Sequence, residues 1–185
     1  MSTMSNMYHH FCTITRHRHE VVRNCLKAGL FLQGLQHDLS KYTPTEFWAG
    51  VKYYQGTRSP NEGEREAIGY SKAWMHHQGR NCHHFEYWCD YNPVTRQMEP
   101  VPMPVRYVVE MFCDRVAASK IYQGENYRDD SALKYFLKGK PTRKIHPETS
   151  DLLEHLLVVL AEQGEEAAFA ETRALLKQAK KDAKS

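Results

Sequence analysis

Nothing in this chain is apolar for the roughly 18 consecutive residues that a membrane-spanning helix needs, and the opening MSTMSNMYHHFC lacks the apolar centre of a signal peptide. A cytoplasmic location without membrane contact is therefore expected. Cysteine is sparse: Cys12, Cys25, Cys82, Cys89 and Cys113 are scattered and include no CxxC pair. That pattern excludes a disulfide framework or a zinc ribbon and leaves reduced, mainly buried thiols. An excess of one charge is missing too, since 25 Lys and Arg stand against 22 Asp and Glu for a net +3. With no basic cluster interleaved with aromatics, stable nucleic-acid binding is not expected. Apolar residues are in ordinary supply at 41%, and 185 residues suffice for one domain rather than two. The compositional anomaly is histidine, with 11 residues.

Period-two alternation is also lacking, whereas helical spacing recurs throughout, so the sequence predicts an all-α bundle in a single domain over residues 1–185. Its core is expected at about 13–162, with 163–185 a lysine-rich C-terminal helix whose end frays. Thr13 to Gly29 reads as the first helix, and FLQGLQHDLSKY as the second, with Leu32, Leu35 and Leu39 on one stripe and Asp38 beside it. Thr43-Pro44-Thr45-Glu46 has the form of a capping box, which starts a third helix running to about Gln55. GTRSPNEGE reads as a loop, Arg65 to His77 as a helix, and His83 to Cys89 as a further helical stretch. DYNPVTRQMEPVPMP, with four prolines, is extended or irregular. Met103-Pro104 opens a strong helix to about Tyr122, with Tyr107, Met111, Ala118 and Ile121 as its buried stripe and Asp114 in the middle of it. Shorter helices follow at Ala132 to Leu137 and Glu148 to Glu162, and a last one begins at Glu165.

The histidines concentrate at His17 and His19, at His37, and at His76, His77, His83 and His84. Together with Asp38 and Asp114 they form an ordered series, His, then His-Asp, then further histidines, then an aspartate on a late helix. This series resembles the HD-domain superfamily of all-α, metal-dependent phosphohydrolases, whose defining pair is seen here as His37-Asp38. The string His37-Asp38-Leu39-Ser40-Lys41 is similar to the HD-x-G-K variant of HD-GYP phosphodiesterases, with serine in place of glycine. A more detailed resemblance, over roughly residues 14–150, is to a small uncharacterised family with the patterns H-x-x-x-V, HDLSK-aromatic, AW-x-x-H-x-x-x-N-x-HH-x-x-YW and a later C/A-D. Those elements are His17 to Val21, His37 to Tyr42, Ala73 to Trp88, and Cys113-Asp114. The superfamily resemblance implies a divalent transition metal (Mn, Fe, Co, Ni or Zn), one ion or two, and hydrolysis of a phosphate ester such as a nucleotide or another small phosphorylated metabolite.

The spacing has a physical reason of its own, because a divalent cation is held best when several helices each supply one imidazole or carboxylate. An aspartate buried among apolar neighbours is costly unless a cation compensates it, and Asp114 fits that description. His17, His37, Asp38 and Asp114 are the expected metal ligands, joined by His77, His83 and His84. His77 and His84 are two helical turns apart with Asn81 between, and His76 and His83 share that spacing, so either register is open. His19 is expected beside the site rather than in it, and His9 and His10 at the surface. Trp74, Phe85, Tyr87 and Trp88 read as core.

Lys41, one turn after His37, is placed to reach a bound phosphate, or else is an ordinary solvated helix-end lysine. Glu46 can orient an attacking water, or simply complete the capping box. Arg80, Asn81, Arg115 and Lys120 are candidates for binding the substrate. Two other readings fit the same residues: an HD-type di-iron oxygenase, and a non-catalytic binding or regulatory module with a closed structural metal site.

Overall fold

Helix α1 (Thr3–Ala28) begins where the Ser2 hydroxyl accepts the Ser5 amide. It ends where Gly29 turns left-handed (φ 84°) and lets the Leu30 amide reach the Cys25 carbonyl at 2.8 Å. The computed structural model describes residues 2–183. With that cap and no glycine or proline before Gly29, α1 starts well ahead of Thr13. His10 therefore lies on a helix and is buried, not exposed, its ring against Phe47 and Tyr54.

The second predicted helix is broken. Helix α2 (Phe31–Gln36) stops before His37, Asp38 takes a left-handed backbone (φ 55°), and Leu39–Tyr42 forms one 3-10 turn. The Arg18 guanidinium holds the break by donating to the carbonyls of His37, at 3.2 Å, and Leu35. Leu32, Leu35 and Leu39 consequently face outward, contrary to the stripe reading, while Asp38 is turned fully inside.

Helix α3 (Pro44–Lys52) starts where proline at its first position predicts but ends short of Gln55. No capping box forms. The Thr43 hydroxyl donates to the Ser40 carbonyl at 2.6 Å, and Glu46 is drawn to His76 and His77. The predicted loop at Gly56–Glu64 gives way at Pro60 to α4 (Pro60–Ile68), capped by Ser59. The helix expected over Arg65 to His77 is two, because Gly69 ends α4 and Ser71 caps α5 (Lys72–Gln78).

The predicted stretch from His83 to Cys89 is a 3-10 turn, Phe85–Tyr87, leading into a hairpin of β1 (Cys89–Asn92) and β2 (Gln97–Pro100). The strands are antiparallel, with Cys89 opposite Pro100 and Asn92 opposite Gln97. Local turn chemistry explains this departure from an all-helical expectation. The Asn92 side chain accepts the Val94 and Thr95 amides at 2.9 and 3.3 Å, and Arg96 takes a left-handed conformation.

Helix α6 (Val105–Gln123) is the centre of the bundle and packs against α1 and the last helix. Its fully buried face is Val108, Val109, Phe112, Cys113, Val116 and Ala117. The predicted stripe is a neighbouring face, where Met111, Asp114, Ala118 and Ile121 line a cavity. Helix α7 (Ser131–Gly139) adds Ala132 and Phe136 to the core, and α8 (Pro147–Asp182) adds Leu153, Leu156, Leu157 and Leu160. Each such leucine or phenylalanine contributes about 1.5–3 kcal/mol by burial. Gly164 (φ 84°, ψ 177°) interrupts α8, dividing it between Glu162 and Glu165 as the sequence predicts. The molecule is thus mostly helical, and among the described residues no helix is long and apolar enough to cross a membrane.

Two predictions follow from the seat of His10. A Cβ at Gly50 would stand 2.1 Å from His10 Nε2, so Gly50→Ala must displace the ring and is expected to cost about 1–3 kcal/mol in denaturant unfolding. Burial, with a further push from Lys41, lowers the His10 pKa to about 4. The unfolded chain then binds the extra proton between pH 6.5 and 4, so stability falls as pH drops through that window. His10→Gln should show a shallower loss of unfolding free energy over the same range.

Candidate metal centre

The break after α2 presents Asp38 to donors from three other parts of the fold. Its Oδ2 lies 3.8 Å from His17 Nε2, on α1, and 3.3 Å from His37 Nε2. Its Oδ1 lies 3.3 Å from His77 Nε2, on α5, and 3.5 Å from His83 Nε2, in the segment after it. Asp114, on α6, closes the first group, with Oδ1 3.0 Å from His17 Nε2 and 3.5 Å from His37 Nε2. Two donor sets therefore share Asp38: His17, His37, Asp38 and Asp114, and Asp38, His77, His83 and His84. Within each, the donor atoms lie within 4.8 Å of one another.

These atoms lack the partners that burial demands. His37 Nε2, His83 Nε2 and both Asp38 oxygens are buried without a hydrogen bond among the described residues. The Lys41 ammonium is 2.6 Å from Asp38 Oδ2, an ion pair outside hydrogen-bond geometry. The opposite ring nitrogens, by contrast, are anchored by carboxylates. His37 Nδ1 and His83 Nδ1 lie 2.8 and 3.2 Å from Glu110 Oε1, and His77 Nδ1 lies 2.8 Å from Glu46 Oε2. Proton donation from Nδ1 to a carboxylate fixes the tautomer that leaves the Nε2 lone pair free, the arrangement found around metal-ligating histidines. The donor set and its orphaned atoms thus fit a cation.

Without an ion, the charges compensate one another. Burial raises the Asp38 and Asp114 carboxyls, but the neighbouring imidazoles outweigh it and hold both well below the usual range. Burial likewise opposes protonation of His37, yet Asp38, Asp114 and Glu110 raise its pKa well above the ordinary value. Glu110, despite its own burial, is lowered to about 2 by His37 and His83. His84 goes the other way, pushed well down by burial and by His83 and His77. It stays neutral, with Nε2 2.9 Å from His77 Nε2 and its ring edge-on to Trp74.

A cavity of about 610 Å³ opens onto this centre, lined by His17, Lys41, His77, His84, Asp114 and Arg115 among others. Trp74 lines it too and is not core, and Tyr87 is exposed, whereas Phe85 and Trp88 pack on the core. The remaining candidates are placed elsewhere. Arg80 is exposed and bonds the His76 carbonyl at 3.2 Å. Asn81 is buried and spends its amide on Ser40 Oγ and the His77 carbonyl. Lys120 is paired with Glu20 and Glu165, where it ties α6 to α1 and α8. Their nearest groups are thus protein atoms, and none of the three lines the cavity. Glu46 holds His76 and His77 and also lines the cavity. The register is resolved as well: His77, His83 and His84 face Asp38, and His76 turns to Glu46.

This chain belongs to DUF5662, a family of unknown function, which it matches over residues 6–158. No curated protein and no solved structure matches it. The DUF5662 span includes every residue of both donor sets and Glu110, which the sequence reading missed. Its signal was present: Glu110 is four residues before Asp114 and so on the same helical face.

Because a cation would satisfy the orphaned atoms, divalent transition metal at 100 times its dissociation constant should stabilise the fold by about 2.7 kcal/mol. Thermal unfolding with added Mn, Zn or Fe and with a chelator checks this, and an unchanged midpoint would argue against binding. Glu110→Gln should weaken metal affinity by about 10–100-fold through loosened His37 and His83 rings.

Proposed function

We propose that this chain is a metal-dependent phosphohydrolase of the HD type, in which His17, His37, Asp38 and Asp114, with His77, His83 and His84, would hold one or two divalent transition-metal ions and the substrate is a small phosphate ester. The observation that carries the reading is the division of the Asp38 carboxylate, one oxygen facing His17, His37 and Asp114, the other facing His77 and His83. Ions bound there would supply the Lewis acidity that polarises a phosphoryl group and acidifies water.

The protein's own residues do the rest. Glu110 and Glu46 keep the imidazoles in one tautomer and orientation. Lys41 is partly exposed to the cavity, and Asp38 and Asp114 overcome the effect of its burial to raise its pKa above the ordinary value. It stays protonated throughout the working range. Lys41 pairs with Asp38 and lines the cavity, so its ammonium would be free to bind a phosphoryl oxygen there once a metal ion had taken up the Asp38 charge. Access also favours an enzyme over a structural site, because four of the donor residues line an open cavity. The same nitrogen-rich donors with a shared carboxylate suit a di-iron pair acting with dioxygen, but the cations on the cavity wall, among them Lys41, Arg115 and Arg143, favour an anionic substrate.

Elemental analysis of protein purified without added metal, paired with a screen of phosphomonoesters and phosphodiesters, tests this reading. Lys41→Ala should lower turnover by about 10²-fold or more while metal content is kept, as when one electrostatic stabiliser is removed. Asp38→Ala should lose the metal along with the activity. Full metal content with no hydrolysis of any phosphate ester would shift the assignment to the di-iron oxygenase.

A further inference from the structure

Arg115 follows Asp114 on α6, so its side chain leaves the helix about 100° from the candidate metal centre and lines another wall of the same cavity. Arg143, just beyond the 3-10 turn Lys140–Thr142 that follows α7, lines it as well. Both guanidinium carbons stand 5.9 Å from the centre of the Phe136 ring. Arg143 is fixed in place: Nη1 donates to the Phe136 carbonyl at 3.1 Å, and the group lies so close to Gly139 that a Cβ there would be 2.5 Å from it. Arg115 Nε is buried without a hydrogen-bond partner, and Nη2 meets only the Met111 sulfur, at 3.9 Å.

Other cations around this cavity are neutralised by the protein. Arg58 is paired with Glu66, Arg65 with Glu62, and Lys41 with Asp38. Among the described residues, no carboxylate reaches ion-pair distance of Arg115 or Arg143. Glu86 shares the cavity, but its Oε2 is itself buried without a partner. These two like charges repel each other, and although Asp114 and Glu86 offset Arg115 from beyond ion-pair distance and Phe136 offers both groups the face of its ring, neither guanidinium has a directly bonded counter-charge among the described residues. An oxyanion between them would supply it, with the forked donors that guanidinium groups offer.

From this arrangement we infer that Arg115 and Arg143 form a second anion subsite, so that the ligand is a phosphate ester carrying a further phosphate or carboxylate. The inference rests on the proposed function for the phosphoryl end of the ligand, while the clamp itself is independent of the metal. A cavity of about 610 Å³ has the volume of sites for molecules of nucleotide or sugar bisphosphate size.

The test is calorimetric titration of the full-length protein, as isolated, with two ligand pairs: fructose 6-phosphate against fructose 1,6-bisphosphate, and glycerol 3-phosphate against 3-phosphoglycerate. In at least one pair the ligand with two anionic groups should bind about tenfold tighter or more, and Arg115→Met and Arg143→Met should each abolish that preference. The pair that shows it tells a second phosphate from a carboxylate. Because Arg115→Met can disturb α6, Glu86→Gln provides a gain-of-binding control. Removing a carboxylate from the same cavity should tighten the doubly anionic ligand several-fold. No preference in either pair, a preference that survives both arginine substitutions, or no gain in Glu86→Gln would overturn the clamp. Metal content is measured on the same samples. A protein without metal that keeps the arginine-dependent preference refutes the phosphohydrolase reading and supports the clamp, whereas a metallated protein indifferent to both arginines refutes the clamp alone.

Discussion

A fully buried carboxylate whose two oxygens both lack a hydrogen bond is the constraint around which the fold is arranged. Asp38 is 1% exposed, and an isolated carboxylate at that depth is expensive enough to protonate or to unfold its surroundings. It persists because the Lys41 ammonium and imidazoles from α1, α5 and the segments following α2 and α5 surround it. The chain bends to allow this. A continuous helix from Phe31 to Tyr42 would keep Asp38 in register with its neighbours, whereas the left-handed break swings it inside and leaves three leucines in solvent. Such a break at a non-glycine residue costs about 1–3 kcal/mol and endures only where surrounding contacts over-determine it. Arg18, bonded to two carbonyls at the break, is one such contact.

The outer layer of the centre has its own logic. Glu110 receives His37 and His83 on one oxygen and so orients imidazoles of two segments, whereas Glu46 receives two neighbours on α5, His76 and His77, on its pair. Glu46 lies at the beginning of α3 and is diverted from capping to the histidines, while the Thr43 hydroxyl bonds the Ser40 carbonyl and makes no cap bond. Local helix stability is thus given up for a tertiary contact. Asn81 works similarly, closing the turn after α5 against Ser40 and so fixing the distance between His77 and His83.

Legibility in the sequence followed the range of the forces involved. The C-terminal end of α1, the start of α3, both ends of α6 and the division of α8 depend on glycine, proline and neighbouring apolar residues, so they are close to their expected places. The break at Asp38 depends on donors contributed from far along the chain, and helical periodicity cannot show it. The same holds for the buried face of α6, where Val108, Phe112 and Val116 are core while the equally apolar Ala118 and Ile121 are only half-buried and border a cavity. The donor residues were legible because histidine and aspartate are uncommon in apolar helices. Arg80 and Lys120 looked like equally good anion binders, but only the tertiary fold reveals that protein carbonyls and carboxylates already occupy them.

That difference among cations bears on how the cavity selects a ligand. A cation paired within the protein gives up its partner when it binds a substrate anion, so its net contribution is reduced by the bond it breaks. Lys120, held by Glu20 and Glu165, would lose two such partners. Lys41 is a special case, since its partner Asp38 is also the residue at which a metal ion would gather. A metal ion held at the centre would compete with the lysine for this one carboxylate, so charge recognition at this wall would be coupled to the centre through a single oxygen, Asp38 Oδ2. Arg115 sits outside that coupling, one residue further along α6. The cavity accordingly presents Lys41, whose availability would depend on the centre, beside Arg115 and Arg143, whose availability does not.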